Sequence, residues 1–159
     1  MSTTQFQVKY NLTFGGKNRF QSVKNGLEKI TDEGIVFIHD GVRPLVSVET
    51  LKNCYSTALE KGNALPVVPV TESIRFAEKD ESKAVDRSKY YLVQTPQTFK
   101  VSQIKKAYKN ALSEDFTDDA SVLEADGEKI QLVEGNRENI KITFQSDLDI
   151  ASVLLKNNN

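Results

Sequence analysis

The sequence is short of the residues that build covalent and metal frameworks. Cys54 is the single cysteine of 159 residues, which excludes an intramolecular disulfide and a cysteine metal cluster. His39 is the single histidine. A lone imidazole at a strand end reads as a packed side chain rather than a general base, and no Ser-His-Asp arrangement can be specified. Neither sign of charge dominates. With 21 Lys and Arg against 22 Asp and Glu, no field draws the chain to nucleic acid or to an anionic membrane. An anionic small substrate stays open, because a few basic side chains can converge in a cleft against a neutral background. No apolar run is long enough to cross a bilayer, and the opening stretch MSTTQFQVKYN has no apolar core of a secretory signal. Cytoplasm is the expected setting, with Asn11-Leu12-Thr13 an idle glycosylation match. Internal repeats are absent, and only the terminal Asn157-Asn158-Asn159 is biased in composition.

What is present is strand and helix in alternation, on a chain long enough for one core and therefore one domain over 1–159. Phe6, Val8, Tyr10 and Leu12 recur at every second residue, a half-buried strand pattern. From Arg19 a helical pattern places Val23, Leu27 and Ile30 on one face, and Asn25-Gly26 weakens it without ending it. The run from Gly34 to His39 is almost continuously apolar and predicts a central strand buried on both faces. Ser47 caps the next helix, with Leu51, Cys54, Tyr55, Ala58 and Leu59 facing inward and Gly62 ending it. Ala64 to Val70 is a strand that Pro66 and Pro69 place near an edge or make irregular.

From Glu72 to Arg87, two arms flank the polar run Lys79-Asp80-Glu81-Ser82, which predicts a projecting hairpin. Tyr91 to Gln94 is a strand ending at Thr95. Ser102 caps a helix carrying Ile104, Ala107, Tyr108 and Leu112, and Thr117 or Asp118 starts another. Lys129–Val133 and Ile140–Thr143 read as short strands. Ser146 with Asp149 forms a capping box for the last helix. The expected fold class is α/β, a three-layer sandwich with a mostly parallel sheet.

Ligands of such sheets sit beyond the carboxyl ends of the strands, which singles out Asp40, Arg43, Thr95, Gln97 and Lys141. Asp40 either caps the turn before Pro44 or holds a hydrated magnesium ion while phosphates supply the other ligands. Arg43 in the same loop suits a polyphosphate. Gly15-Gly16, followed by Arg19 and Ser22, is either a tight turn or a place where backbone N–H groups approach a base or sugar. It is neither a P-loop nor a dinucleotide fingerprint. Thr117-Asp118-Asp119 can meet a sugar hydroxyl or phosphate at a helix start. Taken singly, each of these residues reads equally as a cap or a solvated charge.

Read in order, six motifs resemble those of the 2-C-methyl-D-erythritol 4-phosphate cytidylyltransferase family. They are Gly15-Gly16-x-x-Arg19-x-x-Ser22, His39-Asp40-Gly41-x-Arg43-Pro44, Asp86-Arg87, Gln94-Thr95-Pro96-Gln97-x-Phe99, Thr117-Asp118-Asp119-Ala120 and Asn139-Ile140-Lys141-Ile142-Thr143. The ribitol-5-phosphate cytidylyltransferases share much of this pattern, but the strings Glu134–Lys141 and Val70–Arg75 are more similar to the methylerythritol enzymes. The resemblance implies a Rossmann-like nucleotidyltransferase fold with a dimerisation arm at 73–93. It implies attack by the phosphate of methylerythritol 4-phosphate on the α-phosphorus of CTP, releasing pyrophosphate, with Mg2+ or another divalent cation. Gly15, Gly16, Arg19 and Ser22 match the nucleotide-holding segment, and Asp40 the metal ligand. Arg43 and Lys141 become the catalytic cations. Ser73 stands where a threonine is usual, and Arg87 matches the residue that reaches the sugar phosphate of a second subunit. Thr95, Thr117 and Lys141 match positions around the second substrate.

One departure stands out. The family opens with a glycine-rich loop, an arginine and a Pro-Lys pair that wrap the triphosphate, and Met1 to Thr13 carries none of them. The expectation is therefore an N-terminally incomplete domain with little activity as an isolated chain, or a non-catalytic remnant that binds nucleotide and dimerises.

Overall fold

A computed structural model describes residues 10–157. In chain order it has α1 (Arg19–Glu28), β1 (Ile35–Ile38), α2 (Val48–Lys61), β2 (Asn63–Pro69), β3 (Arg75–Glu78) and β4 (Glu81–Ala84). A 3-10 turn (Arg87–Lys89), β5 (Tyr91–Val93), β6 (Gln97–Lys100), α3 (Val101–Asn110), α4 (Asp119–Ala125), β7 (Leu132–Glu134) and α5 (Gln145–Asn157) follow.

Helices begin where a side chain satisfies their free N–H groups. Asn18 accepts from Gln21 N at the start of α1, Ser47 from Thr50 N at α2, and Asp118 from Ser121 N at α4. Two expected caps are wrong. Ser102 lies inside the first turn of α3, because β6 runs straight into that helix with Lys100 at the cap position. α5 starts at Gln145, so Ser146 lies inside its first turn, and Asp147 of that turn, not Asp149, reaches back to accept from Thr143 N and Phe144 N. Leu112, placed by periodicity on the apolar face of α3, lies past its end and is exposed. On α2, Cys54 and Ala58 are buried as expected and Thr50 joins them, while Tyr55 and Leu59 stay half exposed.

The sheet is mixed and mostly antiparallel, which corrects the expected parallel sheet. β1 pairs with β6, β6 with β2 and β5 with β2 antiparallel, and only β7 pairs with β2 in parallel. The cause is one reversed segment. β1, α2 and β2 form a crossover between strands of like direction, but residues 91–100 return the other way and wedge between them. No helix joins β2 to β5. The link is the β3–β4 hairpin, paired Arg75↔Ala84 through Glu78↔Glu81 with every strand residue exposed, as the sequence predicts.

β2 is interior rather than an edge, despite its prolines. Gly62 O and Pro66 O accept from Lys100 N and Gln94 N on one side, while Leu65 N and Val67 O bond Gln131 O and Gly135 N on the other. The missing N–H of Pro66 therefore faces the break between β5 and β6, where no ladder bond is lost.

β1 is the second correction. Among the described strands it pairs with β6 alone, and it is half-buried. Its apolar run reflects cover on both faces, not a central place. Val36 and Ile38 pack into the cluster of Phe20, Leu27, Phe99, Ile104, Tyr108 and Leu123 under α1, α3 and α4. Ile35 packs against Cys54 and Ala58, and Phe37 stacks on Tyr55 of α2. Burial lifts the Cys54 thiol to about 11, so it behaves as a small apolar filler.

The expected strand at 6–12 begins outside the described residues, and within them Tyr10 and Leu12 are exposed and unpaired with any strand. Residues 140–143 form no strand, although Ile142 N donates to Val42 O. Among the described residues no helix is long and apolar enough to cross a membrane.

Candidate functional site

The carboxyl ends of β1 and β7 lie at one end of the sheet, beside the start of β6. Three segments meet there. Asp40 and Arg43 come from the turn after β1, Thr95 from the β5–β6 junction, and Lys141 from the loop after β7. Asp40 Oδ2 lies 3.3 Å from Lys141 Nζ and 3.3 Å from Arg43 Nε. Among the described residues its Oδ1 has no hydrogen-bond partner. Burial raises the Asp40 pKa, but Lys141 and Arg43 outweigh it and hold the carboxyl below its ordinary value. The cluster carries two cations on one carboxylate, a positive site suited to phosphate.

The turn itself is fixed by a short chain of bonds. Asp40 N donates to Thr95 Oγ1 at 3.0 Å, and that hydroxyl meets His39 Nδ1 at 2.9 Å. His39 Nε2 meets Arg43 O at 2.9 Å. Because a carbonyl only accepts, Nε2 carries a proton, and in the neutral ring Thr95 donates to Nδ1. His39 thus braces the Asp40–Arg43 turn, a role beyond the packing expected of it.

On the opposite wall, Arg19 forms a fork with Asp119, at 2.9 Å and 2.6 Å. Asp119 is fully buried and also accepts from the Tyr108 hydroxyl at 2.6 Å. The bond to Asp119 raises the Arg19 pKa, and burial with the same carboxylate pushes the Tyr108 phenol up. Asp118 is a cap whose other oxygen accepts from Gln97 Nε2 at 2.8 Å. Gln97 Oε1 in turn accepts from Ala120 N. Asp119 is therefore a buried structural anchor, whereas Asp118, bonded to Ser121 N and Gln97, also lines the cleft. Arg19, Asp40, Arg43, Thr95, Thr117 and Lys141 all line one open cleft of about 290 Å³.

Gly15 and Gly16 precede α1, and Gly16 N donates to Ser22 Oγ at 2.9 Å. A Cβ on Gly16 would lie 2.2 Å from Gln21 Cβ, so a side chain is excluded by contact. Gly15, Gly16 and Ser22 form one local turn, but of the expected nucleotide-holding residues only Arg19 lines the cleft. Ser73 and Arg87 do not join the cleft. Ser73 is exposed at the base of the hairpin, and the Arg87 guanidinium donates to Thr71 O. A second open cleft of about 520 Å³ runs from Arg43 and Lys141 past Thr71 and Arg137.

The sequence motifs conceal the residues that hold these segments. Gln94, Gln97 and Asn139 are buried amides. Gln94 Nε2 donates to Asn136 O at 2.8 Å, and Asn136 Oδ1 accepts from Ser47 N at 3.0 Å. The available signal was an amide set directly against an apolar strand, where a polar group is costly unless it is bonded.

Comparison with known proteins gives the site its context. Residues 2–157 match the family described as 2-C-methyl-D-erythritol 4-phosphate cytidylyltransferase (IspD). The protein of that name from Phocaeicola vulgatus is 49% identical over 153 residues, spanning 96% of this chain and 70% of that protein. The one from Clostridium acetobutylicum is 41% identical over 158 residues, spanning 97% and 69%. The crystal structure of the Thermus thermophilus enzyme superposes with a TM-score of 0.82 at 34% identity, covering 89% of this chain and 71% of that one. With motifs, fold and relatives in agreement, the chain belongs to the 2-C-methyl-D-erythritol 4-phosphate cytidylyltransferase family.

Proposed function

We propose that this chain carries the site for cytidylyl transfer from CTP to 2-C-methyl-D-erythritol 4-phosphate. A phosphate oxygen of the sugar phosphate attacks the α-phosphorus of CTP, the α–β bridging P–O bond breaks, and pyrophosphate leaves with the electron pair. No covalent enzyme intermediate is required. The single observation that supports this best is the Asp40–Arg43–Lys141 cluster at the head of β1 in an open cleft.

Each residue has a part in this scheme. Lys141 and Arg43 offset charge that grows on the α-phosphoryl group in the transition state. Arg19 is a fixed cation, held by Asp119, at the wall of the same cleft. Gly15 and Gly16 bring backbone near the cytosine, with Ser22 shaping the turn. Thr95 holds the Asp40 backbone, and Thr117 stands on the substrate side.

Among the described residues no group of three or more His, Cys, Asp or Glu side chains gathers around a metal position. The donor set nonetheless fits a hydrated divalent cation that takes one carboxylate oxygen and draws its other ligands from phosphates and water. Asp40 Oδ1 would be that oxygen, and magnesium held there would supply Lewis-acid neutralisation of the phosphates.

The hairpin arm belongs to the same scheme. Ser73 and Arg87 lie outside the cleft of their own chain, which fits an arm that serves a second subunit. Exposed Tyr90, Tyr91, Leu92 and Val93 at its root give such a contact an apolar surface. The test is product formation from CTP and methylerythritol 4-phosphate, with sedimentation to score the dimer.

A further inference from the structure

Lys141 is half exposed on a long flexible stem, yet its ammonium meets Asp40 in the cleft. What fixes its root is Asn139, two residues earlier and fully buried. The Asn139 carboxamide donates to Thr95 O at 2.8 Å. Its main-chain carbonyl accepts from Arg43 Nη1 at 2.8 Å and from Gln94 Nε2 at 3.4 Å. One residue thus bonds to the β5–β6 junction and to the turn after β1, while its own loop carries Lys141. Ile142 N on Val42 O anchors the far side of Lys141.

The arrangement is costly for packing alone. Asn139 Oδ1 and Gln94 Oε1 are both buried with no hydrogen-bond partner. Each amide is satisfied at its nitrogen and orphaned at its oxygen, a state that costs stability. An apolar side chain of similar volume would fill the space without that penalty. What it would lose is the donor to Thr95 O, the bond that joins the Lys141 loop to the segment holding Asp40 N.

We propose that Asn139 is a positioning residue for cytidylyl transfer, acting through Lys141 by fixing its loop against Thr95 and Arg43. This rests on the cytidylyl-transfer scheme above. Asn139 touches no reacting atom in it. Its replacement lets the Lys141 root drift, and small misplacements of a catalytic group cost up to about 10²-fold in rate.

The test is a double-mutant cycle on kcat with CTP and methylerythritol 4-phosphate, using Asn139→Ala, Lys141→Ala and both together. Thermal melts confirm that each variant is folded at assay temperature. Asn139→Ala should lower kcat by roughly 10- to 100-fold. In the Lys141→Ala background the same change should alter kcat by no more than about twofold, the scatter expected of independent sites. An equal factor in both backgrounds, or no effect in either, overturns the proposal. If Asn139→Ala does not fold, Asn139→Ser takes its place in the cycle. If neither folds, Asn139 is a stability residue and the proposal fails. A wild-type protein, assayed as its gene encodes it, that makes no product removes the parent scheme and this inference with it, whereas an active wild type with additive effects removes the inference alone.

Discussion

Lys141 Nζ sits 3.3 Å from Asp40 Oδ2, although the two come from segments far apart in the sequence. Arg43 shares that same oxygen. Two cations on one carboxylate oxygen leave a net positive cluster with one oxygen to spare, at the strand ends where ligands of α/β sheets bind. The charge arrangement therefore suits a metal–polyphosphate pair better than either alone.

Asp40→Asn should keep the fold and lower turnover by roughly 10²-fold or more, the scale of a lost key electrostatic contact. The amide keeps the shape and removes the charge. Steady-state kinetics at saturating CTP and magnesium check this, and unchanged turnover would make Asp40 a turn cap only.

Acid stability offers an independent check on the same residue. Its carboxyl is held below the ordinary 3.8 because Lys141 and Arg43 outweigh burial. A depressed folded value gives stability that is present above the unfolded pKa and lost as pH falls through the folded one. Asp40→Asn should therefore make the loss of thermal stability below about pH 4 less steep. Superimposable acid limbs for both proteins would contradict the ion pairs.

The buried fork predicts an order of costs. Arg19→Met leaves the fully buried Asp119 charge with only the Tyr108 hydroxyl, and losing one partner of a buried pair costs about 3–5 kcal/mol. Because the Arg19 side chain is 37% exposed, the lower end, about 3 kcal/mol, is the expectation. Tyr108→Phe removes one hydrogen bond to a charge and should cost about 1.5 kcal/mol. Urea unfolding measures both, and the reverse order would contradict the buried fork as the dominant contact of Asp119.

Gly135→Ala tests the amide frame. A Cβ there would lie 2.3 Å from Gln94 Oε1 and 3.3 Å from Val67 O. Gln94 is buried and bonded, so it cannot swing away freely. Overpacking of this kind costs about 1–3 kcal/mol, read as a lower unfolding midpoint. A variant as stable as the parent would show that Gln94 is mobile.

Arg87→Ala tests the arm. It should weaken use of the sugar phosphate by about one to two decades, the scale of a charge-assisted hydrogen bond, while CTP binding holds. Equal loss for both substrates would show that Arg87 has no specific role at the sugar phosphate.

The sequence carried the helices and the hairpin well, because capping residues and apolar spacing are local signals. Ser47, Gly62 and Asp118 mark helix ends where the structure has them. Strand direction was not legible. Nothing local in residues 91–100 tells that they run against β1 and β2, since an apolar strand covered on both faces looks the same at either orientation or place. At the site, Asp40, Arg43, Thr95 and Lys141 were found from their strand-end positions and do converge. Asp119 reads from the sequence as a ligand contact at a helix start and Asn139 only as a letter in a motif. Their structural roles depend on Arg19, Tyr108 and Thr95, partners distant in sequence, and no periodicity reports such bonds.

The most direct measurement is 31P NMR of the purified protein, as its gene encodes it, with CTP, methylerythritol 4-phosphate and magnesium. The account predicts equal amounts of pyrophosphate and 4-diphosphocytidyl-2-C-methyl-D-erythritol, with both reduced by roughly 10²-fold in Asp40→Asn. Folded protein that forms neither product, or that forms the corresponding ribitol product faster, would contradict it.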